Sequence, residues 1–127
     1  MLGMTALGIT VLGALTAPVA VTAAEEDSAT ALLPYCRLPS GQAGNKAYLV
    51  GRCVGLVQGV AETLALVKQA DADNTVTQLC VDRPRNVGTG QAVELVVKYG
   101  DAHPEQTRAP FTVFAALALT EAWSCGK

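Results

Sequence analysis

Four cysteines, Cys36, Cys53, Cys80 and Cys125, stand behind an apolar N-terminal stretch, and this arrangement constrains the fold more than any other feature of the chain. An even cysteine count in a small exported domain reads as a disulfide framework. The same count in a reducing cytosol would point to metal or redox chemistry. The compartment therefore comes first.

Met1 to Ala20 is almost wholly apolar, interrupted by Gly3, Gly8 and Gly13. Val21-Thr22-Ala23 then offers the small residues of a signal-peptidase site, and the acidic Glu25-Glu26-Asp27 follows. This is the pattern of a secretory signal, although no Lys or Arg precedes the apolar run. Residues 1–23 are expected to be a cleaved signal peptide and residues 24–127 a single domain. An uncleaved membrane anchor is the alternative. No cysteine adjoins the cleavage site, which argues against a lipoprotein.

A domain of roughly a hundred residues supports one modest core, so covalent staples matter. Net charge is −2 with both signs dispersed, which offers no basic footprint for nucleic acid.

Lys46 to Gln69 carries the strongest helical pattern. Val50, Val54, Val57, Ala61 and Leu64 recur at steps of three and four, and Leu49, Cys53, Leu56, Val60 and Val67 add a second apolar stripe. A helix apolar on most sides is expected to be central and buried. Arg52 and Glu62 argue against a membrane span. Gly51, Gly55 and Gly59 lie four apart on one face. Each costs about 1 kcal/mol against Ala, so the face is expected to pack closely, against another helix of the chain or against a second subunit.

The remaining chain divides by its punctuation. Glu25 to Ala31 reads as a polar start, and Ala29–Leu33 leads into Pro34-Tyr35-Cys36 as a short helix or turn. Pro39–Asn45, Asp71–Thr75 and Cys80–Gly88 read as loops. Gln91 to Tyr99 reads as helix rather than strand, with Gly88 and Gln91 at N-cap and N3 and Gly100 where the helix stops. Pro110 falls in the first turn of a last helix, and Phe111 to Trp123 is apolar nearly all round and expected to be buried.

Catalytic constellations are missing from the sequence. It contains no phosphate loop, no H-E-x-x-H, no G-x-S-x-G and no C-x-x-C. His103 is the sole histidine and its carboxylates are scattered. With the thiols paired, no activated nucleophile can be assembled. The chain is expected not to be an enzyme, to need no cofactor or metal, and to act as a binding or structural protein.

An ordered set of segments carries a family resemblance. It runs Tyr35-Cys36, Cys53 to Glu62, Cys80, Val87 to Gln91, Val96-Val97-Lys98-Tyr99 with His103-Pro104-Glu105, and Ala116 to Cys125. In this order the chain resembles the Rap/Tai family of type VI secretion amidase immunity and resistance-associated proteins, over nearly all of residues 24–127. It departs from the family pattern at Leu56, where an aromatic is usual, and at Gly88, where a capping threonine is usual. A proline is displaced to Pro84, and Trp123-Ser124 replaces Phe-Pro.

The resemblance implies an all-α, small single-domain helical bundle stapled by two disulfides, working in the periplasm. It implies a protein that binds and occludes a peptidoglycan-amidase effector of type VI secretion, with a homodimer also allowed and no membrane contact after signal cleavage. A periplasmic helical chaperone or envelope adaptor without a toxin partner is the alternative. Exposed loop residues are the candidates for partner binding: Gln42, Asn45, Asp73, Asn74, Arg83 and Arg85. Four cysteines allow three pairings. Cys36–Cys53 and Cys80–Cys125 are expected, because the first joins a short element back to the central helix and the second ties the chain's end to the loop after it.

Overall fold

The computed structural model describes residues 27–73 and 80–125. The proposed signal peptide and Asn74 lie outside the described residues. Among these, four α-helices form the fold: α1 (Ala29–Cys36), α2 (Ala47–Ala70), α3 (Thr89–Ala102) and α4 (Phe111–Ala122). Short 3-10 turns, Ser40–Gln42, Gly44–Lys46 and Pro104–Gln106, lie in the connections. The expected all-α bundle with two disulfides is what the chain forms.

Helix α1 begins where Ser28 caps it, its Oγ accepting from the Ala31 N–H at 3.2 Å. The Ala29 and Thr30 N–H groups donate to the Ala109 and Thr107 carbonyls at 3.0 and 2.8 Å. The orphan donors of the first turn are thus satisfied by a distant segment. Ala29 is fully buried. The polar start expected through Ala31 therefore gives way at Ser28 to core structure, because the neighbouring 107–110 strip covers it.

Helix α2 packs against each of the other three helices. Val50, Val57, Ala61 and Leu64 face the core as their spacing requires, and Val54 is half-buried. By length and composition alone, residues 44–70 could cross a membrane. Here the segment packs on the other three helices along one stripe, with its Arg52 paired with Asp27 and its Cys53 bonded to Cys36. It is not buried all round as expected, since Tyr48 and Leu66 are exposed and the neighbouring helices cover only one face.

Helix α3 starts at the Gly88 N-cap, with Gln91 Oε1 accepting from the Gly88 N–H at 3.0 Å. It does not stop at Gly100 but runs on to Ala102. Gly100 is buried inside the helix. A Cβ there would lie 2.9 Å from Leu33 Cδ1 and 3.4 Å from Phe114 Cζ, so α1 and α4 crowd this point.

The core is more aromatic than the composition suggests. Phe111, Phe114 and Trp123 are all buried, among Leu32, Val57 and Leu119. Tyr99 packs edge-on to Phe114, ring centroids 5.3 Å apart. Helix α4 begins at Phe111, with Pro110 as its N-cap one residue before the expected first turn. Its burial is also one-sided: Val113 is 49% and Leu117 46% exposed. Only α1, α2 and α3 are available to cover it, and they cover one face.

The glycine face corrects a further expectation. Gly51, Gly55 and Gly59 are exposed, and a Cβ on any of them would meet nothing within 4 Å. Among the described residues, no helix packs closely there.

Candidate partner-binding surface

Residues 80–88 and the chain's end are locked to each other. Cys80 and Cys125 are bonded, with Cα atoms 5.4 Å apart. The Cys125 N–H donates to the Cys80 carbonyl at 3.2 Å, and the Asp82 N–H to the Trp123 carbonyl at 2.7 Å. Val81 and Ser124 form an antiparallel bridge between them. Val81 and Trp123 are buried beneath this pairing, so the segment is anchored by apolar area as well as by the covalent bond.

Arg83 holds the loop in shape. Its guanidinium lies 5.6 Å from the Trp123 ring centroid, a cation–π distance. Its Nη2 donates to the Val87 carbonyl at 3.1 Å. The Val87 N–H in turn donates to the Pro84 carbonyl at 3.3 Å. Pro84, Arg85 and Asn86 are exposed at the tip, and Arg85 makes no hydrogen bond or ion pair among the described residues. The two arginines read from sequence as equivalent therefore differ. Arg83 supports the loop and Arg85 is presented by it.

The other loop residues do not join this site as one surface. Asp73 is exposed just beyond α2, at the same end of the bundle. Gln42 and Asn45 are exposed on the 3-10 turns before α2, and Gly44 takes φ +51° there, a left-handed conformation suited to glycine. The 24 residues of α2 separate the two ends by about 36 Å at 1.5 Å per residue. One compact contact cannot use both.

A family model, Rap1a immunity proteins, matches residues 28–125. The chain belongs to this family. The match spans all four helices and both disulfides. No curated protein and no solved structure matches the chain. The Rap1a assignment makes this an immunity protein, whose partner is an effector protein, and its disulfides fit an oxidising compartment.

Two further surfaces on this Rap1a family member are apolar. An open groove of about 890 Å³ runs along α3, lined by Val50, Val54, Val93 and Val97 with Cys36 at one side. Arg37 and Asp101 also line it, Arg37 Nη2 donating to Asp101 Oδ1 at 2.6 Å. That hydrogen bond holds the Asp101 carboxyl below the usual carboxylate range and raises the Arg37 guanidinium. A second hollow of about 410 Å³ lies between α2 and α4, with Gly55, Gly59, Thr112 and Ala116 in its walls.

His103 caps α3 and stacks on Tyr99, with ring centroids 4.3 Å apart. Its Nδ1 lies 3.4 Å from Glu105 Oε1 and its Nε2 3.8 Å from Glu121 Oε2. It sits where a polar turn residue was expected, with no thiol to activate, since no cysteine is free among the described residues. No cluster of His, Cys, Asp or Glu there could hold a metal ion.

Lys68 is a site residue that no motif in the sequence marks. It lines one hollow with Arg83 and Arg85, a meeting that depends on how α2 lies against the Cys80 segment. Its position on a helix gave no signal of that.

Proposed function

We propose that this chain is a periplasmic immunity protein that binds a peptidoglycan-amidase effector of type VI secretion and blocks its active-site cleft without turnover. The pinned Arg83–Val87 loop carries the reading. It projects Arg85 from a rigid base, and a preorganised loop loses little conformational freedom on entering a cleft. Asp73 adds to that end of the molecule, whereas Gln42 and Asn45 belong to a separate, secondary contact.

The open glycine face is the surface we assign to a second copy of the chain. Three helix-interior glycines sacrifice about 2–3 kcal/mol of propensity, and no contact among the described residues offsets it. The exposed Val113 and Leu117 of α4 lie on the helix that borders the hollow and would supply apolar contacts beside it.

The experiment uses the protein as bait in periplasmic extract of its native host. A captured amidase is then assayed on purified peptidoglycan sacculi. Stoichiometric loss of amidase activity on adding the protein is expected. Absence of any amidase in the capture, or full activity in the mixture, overturns the reading. The exposed apolar groove along α3 favours a second reading, a periplasmic chaperone or envelope adaptor. Suppression of aggregation of an unfolded client, without amidase capture, would establish that one instead.

A further inference from the structure

The last turns of α2 and the Cys80–Arg85 segment enclose a hollow of about 370 Å³. Its apolar side is Leu64, Ala65 and Val81, and its polar rim carries Lys68, Arg83 and Arg85 against a single carboxylate, Asp82. Among the residues that line it, positive charge is in excess, on a chain whose net charge is −2. Lys68 and Arg85 have no hydrogen-bond or ion-pair partner among the described residues. By contrast, Arg37 and Arg52 elsewhere are each paired with an aspartate.

We infer that this hollow is a carboxylate-binding site that receives an acidic side chain, flanked by aliphatic residues, from a partner protein. The apolar side takes the aliphatic flank and the cationic rim takes the carboxylate, which Arg can grip with two parallel N–H donors. The disulfide and the Val81–Ser124 bridge fix the Arg83 wall beforehand, so ordering costs are small. A nucleic acid does not fit the same features. It needs a track of cations along a backbone, and Lys46 lies at the opposite end of α2. The role of the hollow in effector binding rests on the function proposed above; the binding chemistry itself does not.

The test is an amide-shift NMR titration of protein purified from the periplasm after expression of the whole chain. The probe is the capped tripeptide acetyl-Leu-Glu-Leu-amide, with the Gln analogue and inorganic phosphate as controls. Saturable shifts centred on Lys68, Gln69 and Asp82 to Arg85 are expected. The Gln analogue should bind at least about tenfold more weakly, as loss of a charge-assisted contact implies. Lys68→Glu/Arg85→Glu should abolish the shifts, and the neutral pair Lys68→Gln/Arg85→Gln should weaken them while melting as the wild type does. Equal binding of the Gln analogue, tighter binding of phosphate, shifts spread evenly to Lys46 and Lys98, or no shifts would each overturn the site. Because no effector enters this titration, its failure leaves the immunity reading standing, and failure of amidase capture leaves the site standing.

Discussion

Gly100 on α3 faces Leu33 on α1 so closely that a Cβ on the glycine would stand 2.9 Å from Leu33 Cδ1. The same Cβ would stand 3.4 Å from Phe114 Cζ. Leu33 and Phe114 are themselves buried, so neither has free space to retreat into. Gly100→Leu is expected to overpack this junction and cost about 1–3 kcal/mol or more. A melting temperature unchanged from wild type would show that the junction yields.

The opposite sign is expected on α2. A Cβ on Gly55 meets nothing within 4 Å among the described residues. In a monomer Gly55→Ala should therefore gain about 1 kcal/mol of helix propensity, whereas a second copy packed on this face would cancel or reverse that gain. Thermal melts beside sedimentation give the readout. If a second copy packs on this face, Gly55→Leu should also lower the sedimenting mass from dimer to monomer. A wild-type monomer would remove the dimer from the proposal.

The two cystines should contribute unequally. The Cys36–Cys53 loop spans 17 residues and the Cys80–Cys125 loop 45. Loop-closure entropy assigns about 3 kcal/mol to the first and about 4 to the second, comparable with the stability of a whole small domain. Paired Cys→Ala variants in denaturant melts measure this. Peptide mapping without reductant should recover both pairs, and a Cys53–Cys80 peptide would contradict the structure.

The Arg37–Asp101 pair predicts a small acid dependence. The Asp101 carboxyl is lowered from 3.8 by the hydrogen bond from Arg37. A lowered carboxylate contributes stability that is present above its ordinary value and is lost as pH falls through the folded one. The hydrogen bond to Asp101 raises the Arg37 guanidinium, so its own contribution persists throughout that range. The Tm gap between wild type and Asp101→Asn should therefore be small near about pH 6 and close by about pH 2. A gap that widens on acidification would mean the aspartate is stabilised in its neutral form.

His103→Ala should leave effector neutralisation intact. The ring packs on Tyr99 and lies near Glu105 and Glu121, contacts that join α3 to its neighbours without activating a nucleophile. A large loss of protection with an unchanged melting temperature would assign the residue a direct role.

Export should leave a mature protein beginning near Ala24, because V-T-A precedes an acidic start. N-terminal sequencing of the protein from its native host decides this. An intact Met1 in the membrane fraction would favour a retained anchor.

The sequence alone determined the elements. Apolar steps of three and four marked the core face of α2, and Gly88 with Gln91 marked the start of α3, because these features act within one or two helical turns. The cystine pairing followed from which elements the cysteines ended or entered. Tertiary structure alone decided what the glycines mean. Gly51, Gly55 and Gly59 share a face by spacing, yet nothing among the described residues lies within 4 Å of a Cβ placed on them, whereas Gly100 looked like a helix end and is the point where α1 and α4 crowd α3. Spacing along one helix reports which residues share a face. What covers that face depends on crossing angles and connections between distant segments. The same reason hid the meeting of Lys68 with Arg83 and Arg85, and it left Val113 and Leu117 exposed on a helix whose sequence is apolar nearly all round.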